Sequence, residues 1–405
     1  GTSTATIAFG GDSGSLSATA ETFDGSSWTE GPDLNTARDY LGSSGISTSA
    51  VAFGGTASPG TSNATELYDG TSWTNSANLG NATSEGGRAG TTGITGLHAR
   101  GNPGNNGATE EFNVTAMTVT AAAWASGGAL NTARYNLGGA GTQTAGLGFG
   151  GYVPPSTNTA NSEEYNGSSW TEGNNLNTSR MSMAGLGIQT AALSVGGHIT
   201  GPEEVQDLVE EYNGTSWTEV NDINTARRYV AACGTTTAGL GFGGYGGGGG
   251  STGDDLSEEY DGTNWAEGNN LNTSRFVLGG FGTQTAAVAF GGARPPANAS
   301  VEEYDGTSWT EVNDIPTARK NMKGAGTLTD GLAFGGIATE TIGYDGTSWS
   351  TRPSLATQRG YHAGFGTSTA ALAAGNRNAP DGAVQNITEE FTGDTTALNL
   401  KTITD

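Results

Sequence analysis

The fold is decided by the pattern in residues 257–292, which read SEEYDGTNWAEGNNLNTSRFVLGGFGTQTAAVAFGG. The stretch holds three markers: a Tyr five residues before Trp265, Arg275 ten residues after that Trp, and an apolar run that ends in Gly291-Gly292. Aromatic, charged and glycine positions that return at fixed spacing are the sequence signature of a repeated structural unit. The same markers return along the whole chain, so this stretch is one copy of a repeat.

The markers keep their mutual distances from copy to copy. An aromatic residue lies five positions before seven of the eight Trp, and an Arg lies ten positions after seven of them. The copy with Phe112 and Trp124 contains an insertion, and Arg88 stands out of frame beside another insertion. Recurrence inside one chain indicates that each unit needs these side chains in the same place. The predicted structural core is therefore Trp28, Trp73, Trp170, Trp217, Trp265, Trp309 and Trp349, with Arg38, Arg134, Arg180, Arg227, Arg275, Arg319 and Arg359.

Each copy reads as four short strands, which we name a, b, c and d in chain order. Strand a follows the Arg, strand b is the apolar run into Gly-Gly, strand c ends in Tyr or Phe, and strand d begins at the Trp. Asp-Gly or Asn-Gly separates strands c and d, and this hairpin signal predicts a type I′ turn with positive φ at both central residues. No segment keeps a 3.6-residue apolar period, so almost no helix is expected.

Four strands in about 40 to 50 residues correspond to one blade of a β-propeller. We therefore predict an all-β β-propeller with four-stranded blades, built as a single domain over residues 1–405. The repeat units are 1–35 (strands b, c and d only), 36–83, 84–131, 132–178, 179–225, 226–273, 274–317, 318–356 and 357–405. Nine units give eight or nine blades, depending on whether the last strand a completes the first unit. The Trp and Tyr are expected between neighbouring sheets, where each would bury roughly 150–250 Å².

Composition and charge exclude several classes of protein. The chain has 70 Gly, and 40 acidic against 16 basic residues give a net charge of −24. This charge disfavours binding to nucleic-acid phosphates. No apolar run approaches the roughly 18 residues of a membrane span, and no basic segment precedes an apolar one at the start, so neither membrane insertion nor a signal peptide is expected. Cys233 is the single Cys, which excludes an intrachain disulfide and a multi-cysteine metal site.

The markers in combination resemble the kelch repeat: Gly-Gly at the end of strand b, Tyr-Asp after strand c, and Trp in strand d. This resemblance covers the whole chain and implies that the β-propeller is of the kelch type. The amino-acid sequences of the copies are similar to those of kelch-like proteins of marine bacteriophages and their hosts. The similar segments are Glu-Glu-Tyr-Asp-Gly-Thr-Ser-Trp-Thr-Glu, Leu-Asn-Thr-Ala-Arg and Gly-Thr-Gln-Thr-Ala-Ala. That second resemblance implies a component of the virion.

Binding is expected on one face of the propeller. Because strand direction alternates, the b–c and d–a loops leave on one face, and the a–b and c–d turns leave on the other. The b–c loops vary between copies, whereas the c–d turns are nearly uniform. Variable loops on a rigid scaffold commonly carry binding, and unconstrained drift is the alternative explanation. The candidate binding residues on this face are Tyr152, His198, Tyr245, Asp254, Asp255 and Arg294.

The repeated Arg are interpreted as structural, because a binding site seldom needs eight identical contributions. Each is predicted to pair with a strand-c acid such as Glu164 or Glu211, or to stack on an aromatic ring. A ring of cations that gathers an anionic ligand is the alternative.

Metal and cofactor signals are sparse. Asp254 and Asp255 could contribute oxygen ligands to Ca²⁺, and no other cofactor is expected. His98, His198 and His362 fall in different units, without the spacing of a metal site. The Gly-rich run 244–250 lacks the Lys-Ser/Thr of a phosphate loop.

The sequence shows no catalytic motif, and no enzyme activity is expected. The acids are repeated rather than set as one pair, and Asp-Gly-Thr-Ser-Trp lacks a residue of the Ser-x-Asp-x-Gly-x-x-Trp turn of sialidase-like propellers. A kelch-type copper oxidase would require His residues near its Cys, and no His neighbours Cys233 in the sequence.

The expected function is that of a structural or attachment protein of a virion, a tail fibre or capsid appendage at the virion surface or outside the cell. Its expected partners are other virion proteins, further copies of itself, and a glycan or protein of the host surface. The alternatives are a bacterial secreted or cell-surface kelch adhesion module and a sialidase- or oxidase-like propeller enzyme. An intracellular kelch adaptor would be expected to carry a partner domain, which is not evident.

Overall fold

The computed structural model describes residues 2–92, 95–99, 101, 109–155, 157–201, 204–246, 253–377 and 382–403. All regular secondary structure in these residues is β, and no helix occurs among them. Nine antiparallel blade sheets are present, eight with four strands and one with three, together with three two-stranded ribbons. The predicted all-β propeller class is therefore confirmed. The chain divides into two compact units: unit 1, Gly1–Thr120 with Thr395–Asp405, and unit 2, Ala121–Asp394.

Unit 1 contains three sheets, in the strand orders β1-β2-β3, β4-β5-β8-β9 and β10-β11-β12-β41, and the ribbon β6-β7. Its strands up to the crossing into unit 2 are β1 (Thr6–Asp12), β2 (Leu16–Phe23), β3 (Trp28–Gly31), β4 (Gly42–Ile46), β5 (Ser49–Phe53), β6 (Thr56–Ala57), β7 (Gly60–Thr61), β8 (Thr65–Tyr68), β9 (Trp73–Asn75), β10 (Gly87–Thr92), β11 (Thr95–Ala99) and β12 (Thr109–Thr120).

Unit 2 contains six four-stranded sheets and two ribbons. Its first strands are β13 (Ala123–Gly127), β14 (Gly138–Thr142), β15 (Ala145–Phe149), β16 (Tyr152–Val153), β17 (Thr157–Asn158), β18 (Ser162–Tyr165), β19 (Trp170–Glu172), β20 (Ala184–Ile188), β21 (Ala191–Val195), β22 (His198–Ile199), β23 (Glu204–Val205), β24 (Val209–Tyr212) and β25 (Trp217–Glu219). They are followed by β26 (Ala231–Thr235), β27 (Ala238–Phe242), β28 (Ser257–Tyr260), β29 (Trp265–Glu267), β30 (Gly279–Thr283), β31 (Ala286–Phe290), β32 (Val301–Tyr304), β33 (Trp309–Val312), β34 (Met322–Thr327), β35 (Asp330–Gly335), β36 (Thr341–Tyr344), β37 (Trp349–Arg352), β38 (Ala363–Gly366), β39 (Ala370–Arg377) and β40 (Val384–Thr392). The last strand of the chain, β41 (Thr395–Ile403), belongs to unit 1.

The six sheets of unit 2 form a closed ring. Their inner strands are β14, β20, β26, β30, β34 and β38, and each lies beside the next until β38 returns to β14. The sixth sheet has the order β13-β40-β39-β38, so the first strand of the unit supplies the outer strand of its last blade. Unit 2 is thus a six-bladed β-propeller, and it closes without the three sheets of unit 1.

This arrangement differs from the single ring over residues 1–405 that the sequence predicts. The nine predicted units correspond to nine sheets, but the outer strands of units 84–131 and 357–405 are exchanged. Strand β13, from unit 84–131, pairs with β40, and β41, from unit 357–405, pairs with β12. The insertion between Phe112 and Trp124 extends β12 to Thr120, which separates strand c of this copy from the Trp strand and lets β13 join another sheet.

The repeated Trp of unit 2 pack between adjacent blades. The Trp217 ring lies against Phe149 of the preceding blade, with ring centroids 4.9 Å apart, and its Nε1 donates to Ser162 Oγ at 2.9 Å. Trp309 does the same with Phe242 and Ser257. The aromatic residues therefore hold neighbouring sheets together by both apolar burial and a buried hydrogen bond. In unit 1 Trp28 departs from this pattern, because half of its surface is exposed.

Six of the seven repeated Arg form buried ion pairs with the first, not the second, Glu of strand c, and the seventh, Arg319, pairs with a Glu outside strand c. Arg134 pairs with Glu163 at 3.0 Å, and Arg180 pairs with Glu210 at 3.3 Å. The predicted partner Glu164 instead accepts a hydrogen bond from the Tyr212 hydroxyl of the next blade at 2.5 Å. The prediction of Glu164 and Glu211 was wrong because successive strand residues point to opposite faces of the sheet. The first Glu of strand c therefore pairs with the Arg of its own blade, and the second Glu contacts the following blade.

In unit 1 Thr83 occupies the position of the repeated Arg. Its carbonyl accepts the Gly55 N–H at 2.7 Å, as the Arg180 carbonyl accepts that of Gly151 in unit 2. Arg88 instead lies in β10, opposite His98 of β11. The sheet that begins with β10 therefore has Thr, not Arg, at the repeated position.

The c–d turns are four-residue loops rather than the predicted type I′ turns. In the loop from Asp69 to Ser72 only Gly70 has a positive φ, of 97°. The Asp69 carboxylate accepts the N–H groups of Thr71 and Ser72, both at 2.8 Å. The Asp side chain itself closes the turn, so the second residue with positive φ is not needed.

These hydrogen bonds predict an acid-sensitive carboxylate. The side-chain and backbone donors of Thr71 and the backbone of Ser72 lower the pKa of Asp69 to about 2. A carboxylate with a lowered folded-state pKa contributes stability above its ordinary pKa, and this contribution is lost as the pH falls through about 2. We expect NMR titration of the Asp69 carboxyl to give a pKa near 2. Asp69→Asn should fold normally, since Asn166 and Asn213 close the equivalent turns. A titration near pH 4 would contradict this account.

Candidate functional site

The b–c and d–a loops of unit 2 lie on the same face and are joined by short backbone bridges. The residue after the repeated Arg pairs with the residue after Gly-Gly in four successive blades: Tyr135 with Tyr152, Met181 with His198, Arg228 with Tyr245, and Phe276 with Ala293. Each bridge places two variable residues beside each other, one just before strand a and one just after strand b of the same blade. We call this side of unit 2 the loop face.

A ring of left-handed residues surrounds the axis at the loop face. Its members, at the second position after each repeated Arg, are Asn136, Ser182, Tyr229, Val277, Asn321 and Tyr361, with φ between 49° and 60°. Non-glycine residues in this region cost roughly 1–2 kcal/mol each. Backbone hydrogen bonds between adjacent blades offset this cost: Ser182 N–H donates to the Asn136 carbonyl at 2.8 Å, and Tyr229 N–H donates to that of Ser182 at 2.8 Å. The turn directs each chain inward to start strand a.

Below this ring the inner strands enclose an axial channel with a volume of about 220 Å³. Its wall consists mainly of Gly and Ala, with Cys233, Phe281 and Phe365 among the larger residues. Lys323 is the one charged residue among the described residues of this wall. Burial lowers its pKa to about 8, and no carboxylate contributes to that pKa. The channel therefore carries a positive charge within an acidic chain.

Removing this charge should stabilise the protein. The folded-state pKa of about 8 lies below the ordinary 10.5, so the charged form is disfavoured by folding at every pH below 8, and the penalty fades between pH 8 and 10.5. At pH 7 and low salt we expect Lys323→Ala to raise the unfolding free energy by up to about 3 kcal/mol. Ala184, Ala231 and Ala363 occupy the same position in other blades, so Ala fits. Urea unfolding at pH 7 and 10.5 measures the gain, which should shrink at the higher pH; a loss of stability at pH 7 would refute it.

Two aromatic clusters line the mouth of the channel. In the first, Tyr135 contacts Tyr152 and Tyr361 with ring centroids 5.3 and 6.2 Å apart, and the Arg377 guanidinium lies 5.0 Å from the Tyr135 ring. Arg377 itself is exposed to solvent. This cluster presents three aromatic rings and a cation to the same side of the mouth.

The second cluster also combines three aromatic rings with one Arg, on other blades, and one of its rings is a Phe. Phe276 contacts Tyr229 at 6.3 Å and Tyr245 at 5.6 Å between ring centroids, and Arg228 lies 5.5 Å from the Tyr229 ring and 5.1 Å from the Tyr245 ring. Tyr229 and Tyr361 are the third and sixth members of the left-handed ring, so the two clusters lie on opposite sides of the axis.

The mouth can bind a neutral or weakly charged polar ligand. Aromatic faces accept the apolar face of a flat ligand, while the Arg and the amide of Asn136 provide hydrogen-bond donors and an acceptor. A concave site with aromatic walls and a few polar groups is the usual form of a small-molecule site.

The structure places the sequence-derived candidates in different settings. Tyr152 and Tyr245 belong to the two clusters, whereas His198 is 6% exposed and lies within its loop. The Asp254 carboxylate accepts the Gly246 N–H at 2.5 Å, and burial raises the pKa of that carboxyl. Asp255 accepts from Asn270 Nδ2 at 3.4 Å. Arg294 is exposed and belongs to neither cluster.

The sequence analysis does not predict Tyr135, Tyr229, Phe276 and Tyr361 as binding residues. Each follows the repeated Arg by one or two positions, where the copies stop being alike. This change from constant to variable residues is the sequence signal for them, and it lies in the d–a loops rather than in the variable b–c loops.

The side chains that commonly bind metals are dispersed in the part of the chain that the structure describes. No group of three or more His, Cys, Asp or Glu there could hold a metal ion. The buried Cys233 thiol lies 3.6 Å from the Thr283 carbonyl, and burial raises its pKa to about 12. It is therefore a thiol, not a thiolate, at neutral pH. The described residues also contain no helix with the length and apolar character of a membrane span.

Comparison with known proteins supports the fold. No protein-family model matches the chain, and no curated protein sequence matches it. Among solved structures, that of YjhT is similar, with a TM-score of 0.57 and 12% sequence identity, over 66% of this chain and 98% of the YjhT chain. Structural similarity of this degree at such low sequence identity shows a shared β-propeller fold.

Proposed function

We propose that this protein is a non-enzymatic attachment protein of a virion, and that the loop face of unit 2 binds a glycan of the host surface. The observation that carries the proposal is the pair of Tyr-Arg clusters on opposite sides of the channel mouth. Sugars are bound by aromatic faces together with planar hydrogen-bonding side chains, and both are gathered at this mouth.

The acidic surface agrees with this role. A net charge of −24 repels other anionic particles and keeps the protein from adhering to them non-specifically. Short-range hydrogen bonds and stacking to sugar persist at high salt, where long-range charge interactions are screened. Specific recognition therefore has to come from a local cluster of rings and polar groups.

The assignment to a virion rests on the amino-acid sequence of the repeats, which is similar to that of kelch-like proteins of marine bacteriophages. A secreted or cell-surface bacterial adhesion module would use the same face. Labelled antibody that decorates purified virions supports the first role, and decoration of uninfected cells supports the second.

Glycan binding should depend on the two ring tyrosines. Tyr229→Asn and Tyr361→Asn are suitable changes, because Asn136 and Asn321 already hold this left-handed position in two other blades. Each loses about 1–1.4 kcal/mol of aromatic contact, so we expect about fivefold to tenfold weaker binding for each variant. Screening the wild type on a glycan array and then titrating the best sugar into both variants measures this loss.

A matched control lies on the opposite face. Ile188 is 54% exposed at the end of β20, and Thr142, Thr235 and Thr283 hold its position in other blades, so Ile188→Thr should fold and bind sugar like the wild type. Equal affinity of the two Asn variants and the wild type would remove the loop face as the site. Release of a hydrolysed or oxidised sugar during the titration would favour the enzyme alternative.

A further inference from the structure

A second, smaller cavity lies on the axis of unit 2 at the level of the left-handed ring. Its volume is about 30 Å³, and its lining includes Ser182, Asn321, Lys323 and His362. A cavity of this size holds a single water-sized or halide-sized species and is too small for a sugar. Lys323 also lines the axial channel below, so its charge faces both spaces.

Two polar atoms of this lining, Ser182 Oγ and Asn321 Nδ2, have no hydrogen-bond partner among the described residues. The two residues are 5% and 6% exposed. The His362 ring does not add to this pair, because it packs against Gly335 of the neighbouring blade. Buried polar groups are nearly always satisfied by protein, water or an ion. Unmatched atoms from two blades in the lining of one small space therefore indicate a bound species.

The chemistry of the lining selects an anion. An ammonium and an amide Nδ2 are donors only, while Ser contributes a hydroxyl that can donate. No Asp or Glu is among the described residues that line either axial space. Burial, Arg359 and Lys323 hold the pKa of His362 well below its usual value, so its imidazole is neutral. A water molecule would leave the Lys323 charge without a counter-ion, whereas an anion supplies one.

We infer that the small axial cavity of unit 2 binds one monovalent anion, a free halide or the carboxylate of a small ligand, with Lys323, Asn321 and Ser182 as donors. This site adjoins the aromatic clusters of the loop face, because Tyr229 and Tyr361 also line the small cavity, but anion binding there does not depend on whether that face binds a glycan. Its effect is to neutralise the one charge buried on the axis.

Two variants that keep the fold make the inference testable. Lys323→Ala introduces the residue that stands at this position in three other blades. Asn321→Ser introduces the residue that Ser182 supplies at the same left-handed position, with a φ of 59° against 60°. The first removes the charge, and the second weakens one donor while leaving the charge in place.

The experiment measures the thermal midpoint of the full chain in sodium bromide and in sodium gluconate at equal ionic strength, because gluconate is too large for the cavity. Bromide should raise the midpoint by about 3 °C at tenfold excess over its Kd, with saturation at a single site. In Lys323→Ala, bromide should no longer raise the thermal midpoint. In Asn321→Ser, the same rise in midpoint should require a several-fold higher bromide concentration. Anomalous diffraction from a bromide-containing crystal should place one ion beside Lys323 Nζ.

Sodium acetate distinguishes the two sources of the anion. A saturable rise in acetate but not in bromide would assign the site to a ligand carboxylate, and the reverse would assign it to a free halide. Equal midpoints in bromide, acetate and gluconate, or a bromide effect that persists in Lys323→Ala, would overturn the inference. An ordered water in place of bromide in the crystal would do the same.

Discussion

Replacing Arg227 by Met should lower the unfolding free energy of unit 2 by about 3–5 kcal/mol, since removal of one partner of a buried ion pair leaves the other charge uncompensated. Arg227 and Glu258 are fully buried, with Nη2 and Oε1 2.7 Å apart. Arg227 Nη1 also donates to the carbonyls of Gly243 and Leu256 at 2.8 and 2.9 Å. The change therefore leaves one buried carboxylate without its counter-ion and two buried carbonyls without their hydrogen-bond donor.

The chain supplies its own control for this prediction. Arg319 also pairs with a Glu, but Glu340 precedes strand c of its blade instead of lying in it, and the two side chains are 20% and 30% exposed. Arg319→Met should cost less than about 1 kcal/mol, as solvent-exposed ion pairs usually do. Urea unfolding of both variants at pH 7 measures the two losses. Equal losses would show that burial of the pair is not what makes it matter.

Replacing Trp124 by Ala should cost unit 2 about 3 kcal/mol and loosen the closure of its ring. Trp124 lies in β13, the strand that completes the last blade. Its ring contacts Phe334 and Phe391 with centroids 5.1 and 5.3 Å apart, and its Nε1 donates to Thr341 Oγ1 at 3.0 Å. The side chain thus joins the last sheet to its neighbour, β34–β37, and truncation removes contacts on both.

Calorimetry and hydrogen exchange together test this prediction. The transition of unit 2 should shift to lower temperature, and the amides of β13 should lose protection first. Trp28→Ala is the control, because half of the Trp28 surface is exposed and surface substitutions usually change stability by less than about 0.5 kcal/mol. If β13 keeps its protection in Trp124→Ala, the strand pairing alone closes the ring.

The local architecture could be predicted because it depends on short-range sequence. Tyr260, Asp261 and Trp265 lie within six residues, so strand c, the turn and strand d follow from their order and spacing. The details of pairing could not be predicted equally well. Glu163 and Glu164 are adjacent acids, and only the strand register decides that the first meets Arg134 while the second meets Tyr212.

The candidate site was only partly accessible to sequence reasoning. Tyr152 and Tyr245 were singled out by their variable loops, but their neighbours Tyr135 and Phe276 come from a different loop of the repeat. Bridges between the b–c and d–a loops bring these residues together, and such contacts are set by the position of strand a in the ring. The axial cavity was still less accessible, because its lining combines single residues from many blades.

The sequence by itself determined the repeat, its four strands, the nine sheets and the absence of helix in the described residues, since each depends on patterns that extend over fewer than about 50 residues. Only the tertiary structure decided how many sheets close a ring and where the last strands pair. Ring closure depends on β13 and β40, which are far apart in the chain, and identical local patterns cannot specify which of several equivalent edges they complete. The same long-range closure creates the axis, and with it Lys323 and the two aromatic clusters at the mouth of unit 2.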